Sequence, residues 1–368
     1  MTYIGQSVRR FEDPRLLTGQ GSYVDDIKLP GLLHAAVLRS PHAHANIRSI
    51  DGSTASRLPG VVAVFTAADI QDLAVELPTR TNTGADELNP PKHPILASEK
   101  VCYVGQPTAI VIAEDQYSAA DALEQILVDY EILPVVMEPN EALKEGSTIV
   151  HSDLGSNVSL RTLNSGGDLD TAFAKADHVV RQTYQVQRLA PAPMEPRGLV
   201  ADYQPEDDLL TVWDSTQHPH HVREHLVHLL NRTHEGTRVV APDVGGGFGE
   251  KGCLFPEEVL VPYLAVVLGR PIKWIENRQE NMTAFHGRGH SIEMQAAVRS
   301  DGTILGIRVH IVADLGAYYL LSTPQVPVLT SHRLTGPYRT PAMSVEVQGV
   351  VTNKPPTGAY RGAGGPEA

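Results

Sequence analysis

The chain has 368 residues, 42% apolar and 20% charged, an ordinary globular composition with enough length for two or three cores. Its formal net charge of −13 at pH 7 argues against nucleic acid or an anionic membrane surface as the main partner. No run of about 18 apolar residues exists to span a bilayer, the opening ten residues lack the apolar core of a secretory signal, and two cysteines fit a reducing cytoplasm.

Residues 1–18 read as a polar extended arm. Gly19, Gly21, Asp25, Asp26, Pro30 and Gly31 then mark turns. Apolar runs predict strands at 32–39, 61–66 and 109–113. Pro78, Gly84, Pro90, Pro91 and Pro94 leave 77–94 a loop. Ser118, with Asp121 three residues on, predicts the N-cap of a helix whose apolar face carries Ala119, Ala122, Leu123 and Ile126. The chain returns as a strand over 128–136. This βαβ-like unit closes a first α/β domain, residues 19–135.

The remainder, residues 136–368, reads as an α+β domain. A short helix starts at Asp168, and 179–187 alternates like a strand. Another strand at 209–214 ends in Ser215-Thr216-Gln217, and a helix follows over 219–230. The strand at 238–242 delivers the chain to Val244-Gly-Gly-Gly-Phe-Gly-Glu-Lys251. Pro256 then opens an apolar helix that Gly269 ends. Strands are predicted at 271–276, 291–298, 304–314 and 345–352. The last segment, Gly358-Ala-Tyr-Arg-Gly-Ala-Gly-Gly-Pro-Glu-Ala368, is again rich in glycine, which suggests that further active-site residues lie beyond it.

Glycine at such density brings backbone close to something bulky or anionic. Phe248 can wall a pocket, and Arg361 can make a bidentate contact to an oxyanion. Gln217, at a strand end, has a side-chain amide able to donate to an oxo or carbonyl group. Two other patterns compete. Gly247-Phe-Gly-Glu-Lys-Gly252 satisfies G-x-G-x-x-G between a strand and a helix, with Glu276 ending the next strand, so a nicotinamide-dependent dehydrogenase is the alternative reading. Against it, Cys253-Leu-Phe-Pro256 delays the helix and two extra glycines precede the match. His221-Val-Arg-Glu-His225 matches an inverted zinc-protease pattern. In a chain with 16 histidines a solvated histidine-rich helix is the better account, and no metal ligands are assigned. Glu195 and Arg197, in Met194-Glu-Pro-Arg197, read as a buried ion pair rather than an acid–base pair.

Taken together, the chain resembles the large, molybdopterin-binding subunit of the xanthine dehydrogenase, aldehyde oxidase and aerobic carbon monoxide dehydrogenase family. The likeness runs from Gly5-Gln-Ser-Val-Arg-Arg-Phe-Glu-Asp-Pro-Arg-Leu-Leu-Thr-Gly19 and Tyr23-Val-Asp-Asp26 through Leu38-Arg-Ser-Pro-His-Ala-His44 and Val104-Gly-Gln-Pro107. It continues in Ser215-Thr-Gln217, the first glycine loop and Ala359-Tyr-Arg-Gly-Ala-Gly364. It implies a small α/β hammerhead domain followed by a partial α+β domain for the molybdenum cofactor. It also implies oxidative hydroxylation of an aldehyde or N-heterocycle, with water as the oxygen source and a cytosine-dinucleotide molybdopterin as cofactor. Gln217, Gly246, Gly247, Phe248, Gly249, Arg361 and Gly362 would hold that cofactor, and Arg361 would act in catalysis beside the substrate.

The resemblance further implies electron transfer to an iron–sulfur small subunit carrying [2Fe–2S] and a medium subunit carrying FAD, in a dimer of heterotrimers. Two cysteines are too few for an iron–sulfur cluster, which takes about four thiolates. The family's general-base glutamate has no match here, and neither Glu250 nor Glu367 sits in its motif. Gly362 stands where the carbon monoxide enzymes carry a copper-holding cysteine. Gly252 stands where xanthine-oxidising members carry a purine-binding glutamate. A fragment that binds without turnover is the third reading.

Overall fold

The computed structural model describes residues 3–73 and 75–368. Its centre is set by Pro107–Ala113, in which every residue is buried. Such a run of Val, Ile and Ala, covered on both faces, suits an interior strand. It lies in a seven-stranded sheet, ordered Thr237–Val240, Leu209–Asp214, Gly198–Gln204, Ile272–Ile275, Leu33–Arg39, Pro107–Ala113, Val61–Thr66. Leu33 pairs in parallel with Ile272 and Ala35 with Trp274. The sheet therefore runs straight across residue 135, and one backbone ladder joins the first domain to the second. A six-stranded sheet carries Glu87–Leu88, Val158–Gly166, Met343–Val351, Ile304–Gly316, His290–Val298 and His178–Val186.

The Pro256–Leu268 helix packs on the first sheet. Glu258 at its third position returns a carboxylate to the Phe255 N–H at 2.6 Å, and Gly269 ends it at φ +61°. Val259, Leu260, Val261 and Leu264 are all buried against Leu199, Leu210 and Trp274. Each such side chain contributes about 1.5–3 kcal/mol on leaving water.

Three expectations change. The helix after Pro107–Ala113 begins at Gln116, and its cap is Asp115, which accepts from the Tyr117 and Ser118 N–H groups; Ser118 instead donates its hydroxyl to Asp115. One Asp115 carboxylate oxygen takes both first-turn N–H groups and the other takes the Ser118 hydroxyl, a division that a single hydroxyl cannot make. The following strand, Leu127–Ile132, pairs with Ala45–Asp51 in a separate three-stranded sheet, so the unit is not a βαβ crossover. The arm holds a five-residue helix, Asp13–Leu17, from which Arg15 grips the Asp243 carboxylate bidentately.

Tyr318 is buried between two neutral imidazoles, His93 stacked at 4.7 Å and His151 tilted at 4.8 Å. The His151 Nε2–H donates to the Ala317 carbonyl at 2.6 Å. Burial lowers both histidines to about 4. The unfolded chain therefore takes up protons first, so each site costs stability as pH falls from about 6.5 towards 4. His151→Gln keeps a donor for that carbonyl but cannot titrate. Urea unfolding across this window should show the variant losing less stability than the wild type, by up to about 1.4 kcal/mol per pH unit. Identical pH slopes would contradict the assignment of a neutral, titrating imidazole.

Candidate functional site

Leu209–Asp214 and Thr237–Val240 are adjacent and parallel, so their C-terminal ends leave the sheet side by side. Open sheets gather ligands at such ends. The first carries Gln217 and the second carries the glycine loop. Gln217 N donates to Lys251 O at 2.8 Å, and its Oε1 accepts from Gly249 N at 2.8 Å. The amide is thereby oriented, and its Nε2 makes no hydrogen bond among the described residues. A Cβ on Gly247 would come within 2.5 Å of Gln217 Oε1, so a larger residue there would displace the Gln217 amide.

The second loop closes on the first. Arg361 N donates to Phe248 O at 3.0 Å, and a Cβ on Gly249 would lie 2.1 Å from Ala359 O. Phe248 at φ +55° and Arg361 at φ +33° are both in the left-handed region, which costs a non-glycine residue about 1–3 kcal/mol. The Arg361 guanidinium stands 5.3 Å from the centroid of the Phe248 ring, which is 43% exposed. Gln217, Phe248, Gly249, Arg361 and Gly362 all line one cleft of about 530 Å³. Gly246 and Gly247 sit behind it: Gly246, at φ +99°, leaves room for the Phe248 ring.

Buried ions stiffen the loop from below. The Glu195 Oε2 accepts from Gly245 N at 2.7 Å, Ser215 Oγ at 2.6 Å and Lys251 Nζ at 2.9 Å. Arg197 pairs with Glu276 at 2.6 Å and Glu257 at 3.3 Å, and its guanidinium lies 3.7 Å from the Phe255 ring centroid. Burial would raise Glu257, but Arg39 and Arg197 outweigh it and hold the carboxyl at about 2. Glu195 and Arg197 are thus both ion-paired, each to other residues. Glu250 is raised to about 7 by burial; it accepts from Asn281 Nδ2 at 2.8 Å beneath the loop. Glu367 faces Arg288 at 3.3 Å. Neither glutamate lines the cleft.

The nicotinamide alternative fails on Glu276. Its two carboxylate oxygens are taken by Arg197 and Asn281, and it is 1% exposed, so it has nothing to offer a ribose. The zinc-protease pattern also fails: no cluster of three or more histidines, cysteines or carboxylates able to hold a metal occurs among the described residues. The histidines there have another place. His218 and His221 stack at 5.1 Å and line the cleft, as does Arg80 from the proline-rich loop. Sequence reading passed over all three, since a lone arginine and a histidine-rich helix carry no local mark of a shared wall. A roomier groove of about 740 Å³ lies beside Ile47, Ile70 and Leu96, away from both glycine loops.

Residues 150–368 match the family described as "Molybdopterin cofactor-binding domain", and residues 18–134 match "Aldehyde oxidase and xanthine dehydrogenase, a/b hammerhead domain". The chain belongs to the molybdopterin-binding xanthine dehydrogenase and aldehyde oxidase family. It is 41% identical to the nicotine 6-hydroxylase large subunit of Paenarthrobacter nicotinovorans, over 98% of this chain and 44% of that relative. It is 40% identical to the carbon monoxide dehydrogenase large chain of Hydrogenophaga pseudoflava, over 95% of this chain and 45% of that one. Quinoline 2-oxidoreductase from Pseudomonas putida 86 superposes with a TM-score of 0.94 at 40% identity, over 99% of this chain and 46% of that structure. The chain thus spans under half the length of these relatives. The mixed hammerhead and cofactor-domain fold expected from the family is the one observed. No helix among the described residues is long and apolar enough to cross a membrane.

The site suits the family's cofactor. The backbone N–H groups of Gly246, Gly247 and Phe248 have no hydrogen-bond acceptor among the described residues. With Gln217 Nε2 they are unpaired donors at and behind the cleft, of the kind an anionic oxygen- and sulfur-bearing group would take, and a Cβ on Gly246, Gly247 or Gly249 would press on Phe248, Gln217 or Ala359.

Proposed function

We propose that this chain forms the hammerhead domain and first cofactor-binding portion of a molybdenum hydroxylase large subunit, which oxidatively hydroxylates an aldehyde or N-heterocycle. The observation that carries this reading is the meeting of Gln217, the Phe248–Gly249 backbone and Arg361 at one cleft. Gln217 Nε2 and the loop N–H groups would hold the cofactor, which supplies a two-electron redox centre when bound. The Phe248 ring walls the cleft and limits how a flat substrate enters. Arg361 has no carboxylate partner among the described residues, so its guanidinium is available to negative charge developing on the substrate. We place the general base outside these walls, since no Asp or Glu among the described residues lines the cleft.

Two glycines narrow the substrate. Gly362 lies at φ +124° with Pro366 Cδ 2.7 Å from where a Cβ would be, so a cysteine holding copper does not fit and carbon monoxide is disfavoured. A Cβ on Gly252 would lie 3.3 Å from the His218 ring, so a purine-binding glutamate there would need that ring to give way. Both cysteines are buried and unpaired. Electrons would therefore leave through separate [2Fe–2S] and FAD subunits of a cytoplasmic complex.

The tagged complex should be isolated from its source and analysed for metal, pterin, flavin and subunits together. Molybdenum with a cytosine-dinucleotide pterin, plus iron and FAD on other chains, is the expected result. Bound nicotinamide, or a turning-over complex without molybdenum, would refute the proposal.

A further inference from the structure

The cleft is unusual in charge for so acidic a chain. Two guanidinium groups, Arg80 and Arg361, and two imidazoles, His218 and His221, line it, while no carboxylate among the described residues does. Arg361 belongs to the glycine-loop side. Arg80 arrives separately, from the proline-rich loop of the hammerhead domain. Its backbone N–H donates to Leu321 O at 3.4 Å, and its Nη1 donates to Gln325 Oε1 at 2.9 Å. Leu321 and Gln325 are themselves cleft walls, so Arg80, although exposed, is tethered to the cleft at two points. A neutral amide orients the guanidinium without neutralising it, and no acid lies within ion-pair distance among the described residues. The Pro219–Leu229 helix begins at this wall, and its N-cap residue His218 makes no side-chain cap, so the helix's positive end adds to the field. Burial, followed by His221 and Arg80, lowers His218 and keeps its ring neutral, so it adds no like charge beside Arg80.

We infer that Arg80 is a specificity-determining residue that holds a carboxylate on the substrate, so that this enzyme prefers an aromatic or heteroaromatic acid to its neutral analogue. The inference rests on the proposed hydroxylase reading and names the substrate class for the same cleft. An arginine fork anchored on one side still presents parallel donors to a planar carboxylate. With one end of the molecule fixed at Arg80, the ring is directed towards Phe248 and Arg361. The net charge of −13 would otherwise repel such an acid, which makes an acid-free cleft with two free guanidinium groups a selective feature.

The test uses the purified holoenzyme and matched pairs: pyridine-3-carboxylate with pyridine-3-carboxamide, and quinoline-4-carboxylate with its amide. Affinity is measured by titration calorimetry, and turnover by reduction of an artificial electron acceptor. The wild type should bind at least one acid tenfold or more tighter than its amide. Arg80→Gln should lose that preference through Kd and KM, with molybdenum content unchanged, and Arg80→Lys should recover part of it. Equal affinity for acid and amide in the wild type, or an acid preference that survives in Arg80→Gln, overturns the inference. Calorimetry reads the preference whether or not turnover occurs. A molybdenum-free enzyme that turns over nothing would count against the hydroxylase reading, while the acid-to-amide affinity ratio still decides the role of Arg80.

Discussion

Arg361→Ala is expected to lower turnover of the holoenzyme by about a hundredfold to a thousandfold, the usual cost of removing one donor to developing charge. Molybdenum content should stay near that of the wild type. The separation follows from geometry. It is the backbone N–H of Arg361 that holds Phe248 O at 3.0 Å, and alanine retains it. Alanine at φ +33° is no more strained than arginine. The lost group is a guanidinium whose contact within the chain is the Phe248 ring, 5.3 Å away. Arg361→Lys keeps charge without the planar fork and should recover only part of the rate. The loss should fall on kcat more than on substrate affinity, as expected for a group that acts on the transition state. Molybdenum lost in step with activity would make Arg361 structural, and unchanged turnover would remove it from the reaction.

Gly249→Ala should give the opposite pattern, losing molybdenum and activity together in a chain that still folds. Gly249 is at φ +106°, and the new methyl would sit 2.1 Å from the Ala359 carbonyl oxygen and 2.8 Å from its carbon. These are backbone atoms of the facing loop and cannot swing aside as a side-chain end can. The loops would have to part, breaking the bonds of Gly249 N to Gln217 and of Arg361 N to Phe248 O. Gly302→Ala is the control: its φ is +87°, but the methyl meets nothing within 4 Å. That change should cost only about 1 kcal/mol of backbone strain. Metal analysis with far-ultraviolet circular dichroism distinguishes the two. A Gly249→Ala protein with full molybdenum would show that this loop is not the cofactor's seat.

Much of the fold was legible because its signals are local. The strand at 61–66 and the helix beginning at Pro256 fall where apolar runs, proline and glycine put them. Elements with mixed composition escaped. Ala45–Asp51 exposes or half-exposes six of its seven residues, so it has no apolar run to read, and it forms a strand because Leu127–Ile132 and Lys100–Val101 offer partners. Gln325–Arg333 carries Pro327 within a helix that lacks a clear apolar stripe. The Asp115 cap was missed for a smaller reason: a serine three residues later offered an equally plausible pattern.

The sequence by itself determined that residues near 244–252 and 358–365 must bring bare backbone close to something, and it marked Gln217, Phe248 and Arg361 as candidates beside them, Gln217 through the family resemblance. Those requirements are properties of each short segment, since positive φ and a missing Cβ restrict residue choice wherever the segment lies. The tertiary structure alone decided which segments meet. It joined Gln217 to Gly249, and Phe248 to Arg361 more than a hundred residues later. It took Glu276 out of contention by giving both its oxygens to Arg197 and Asn281. It also placed Arg80, His218 and His221 on one wall. Contacts between distant segments are set by sheet pairing and core packing, as in Leu33 against Ile272, and leave no periodicity in the sequence around the residues they unite.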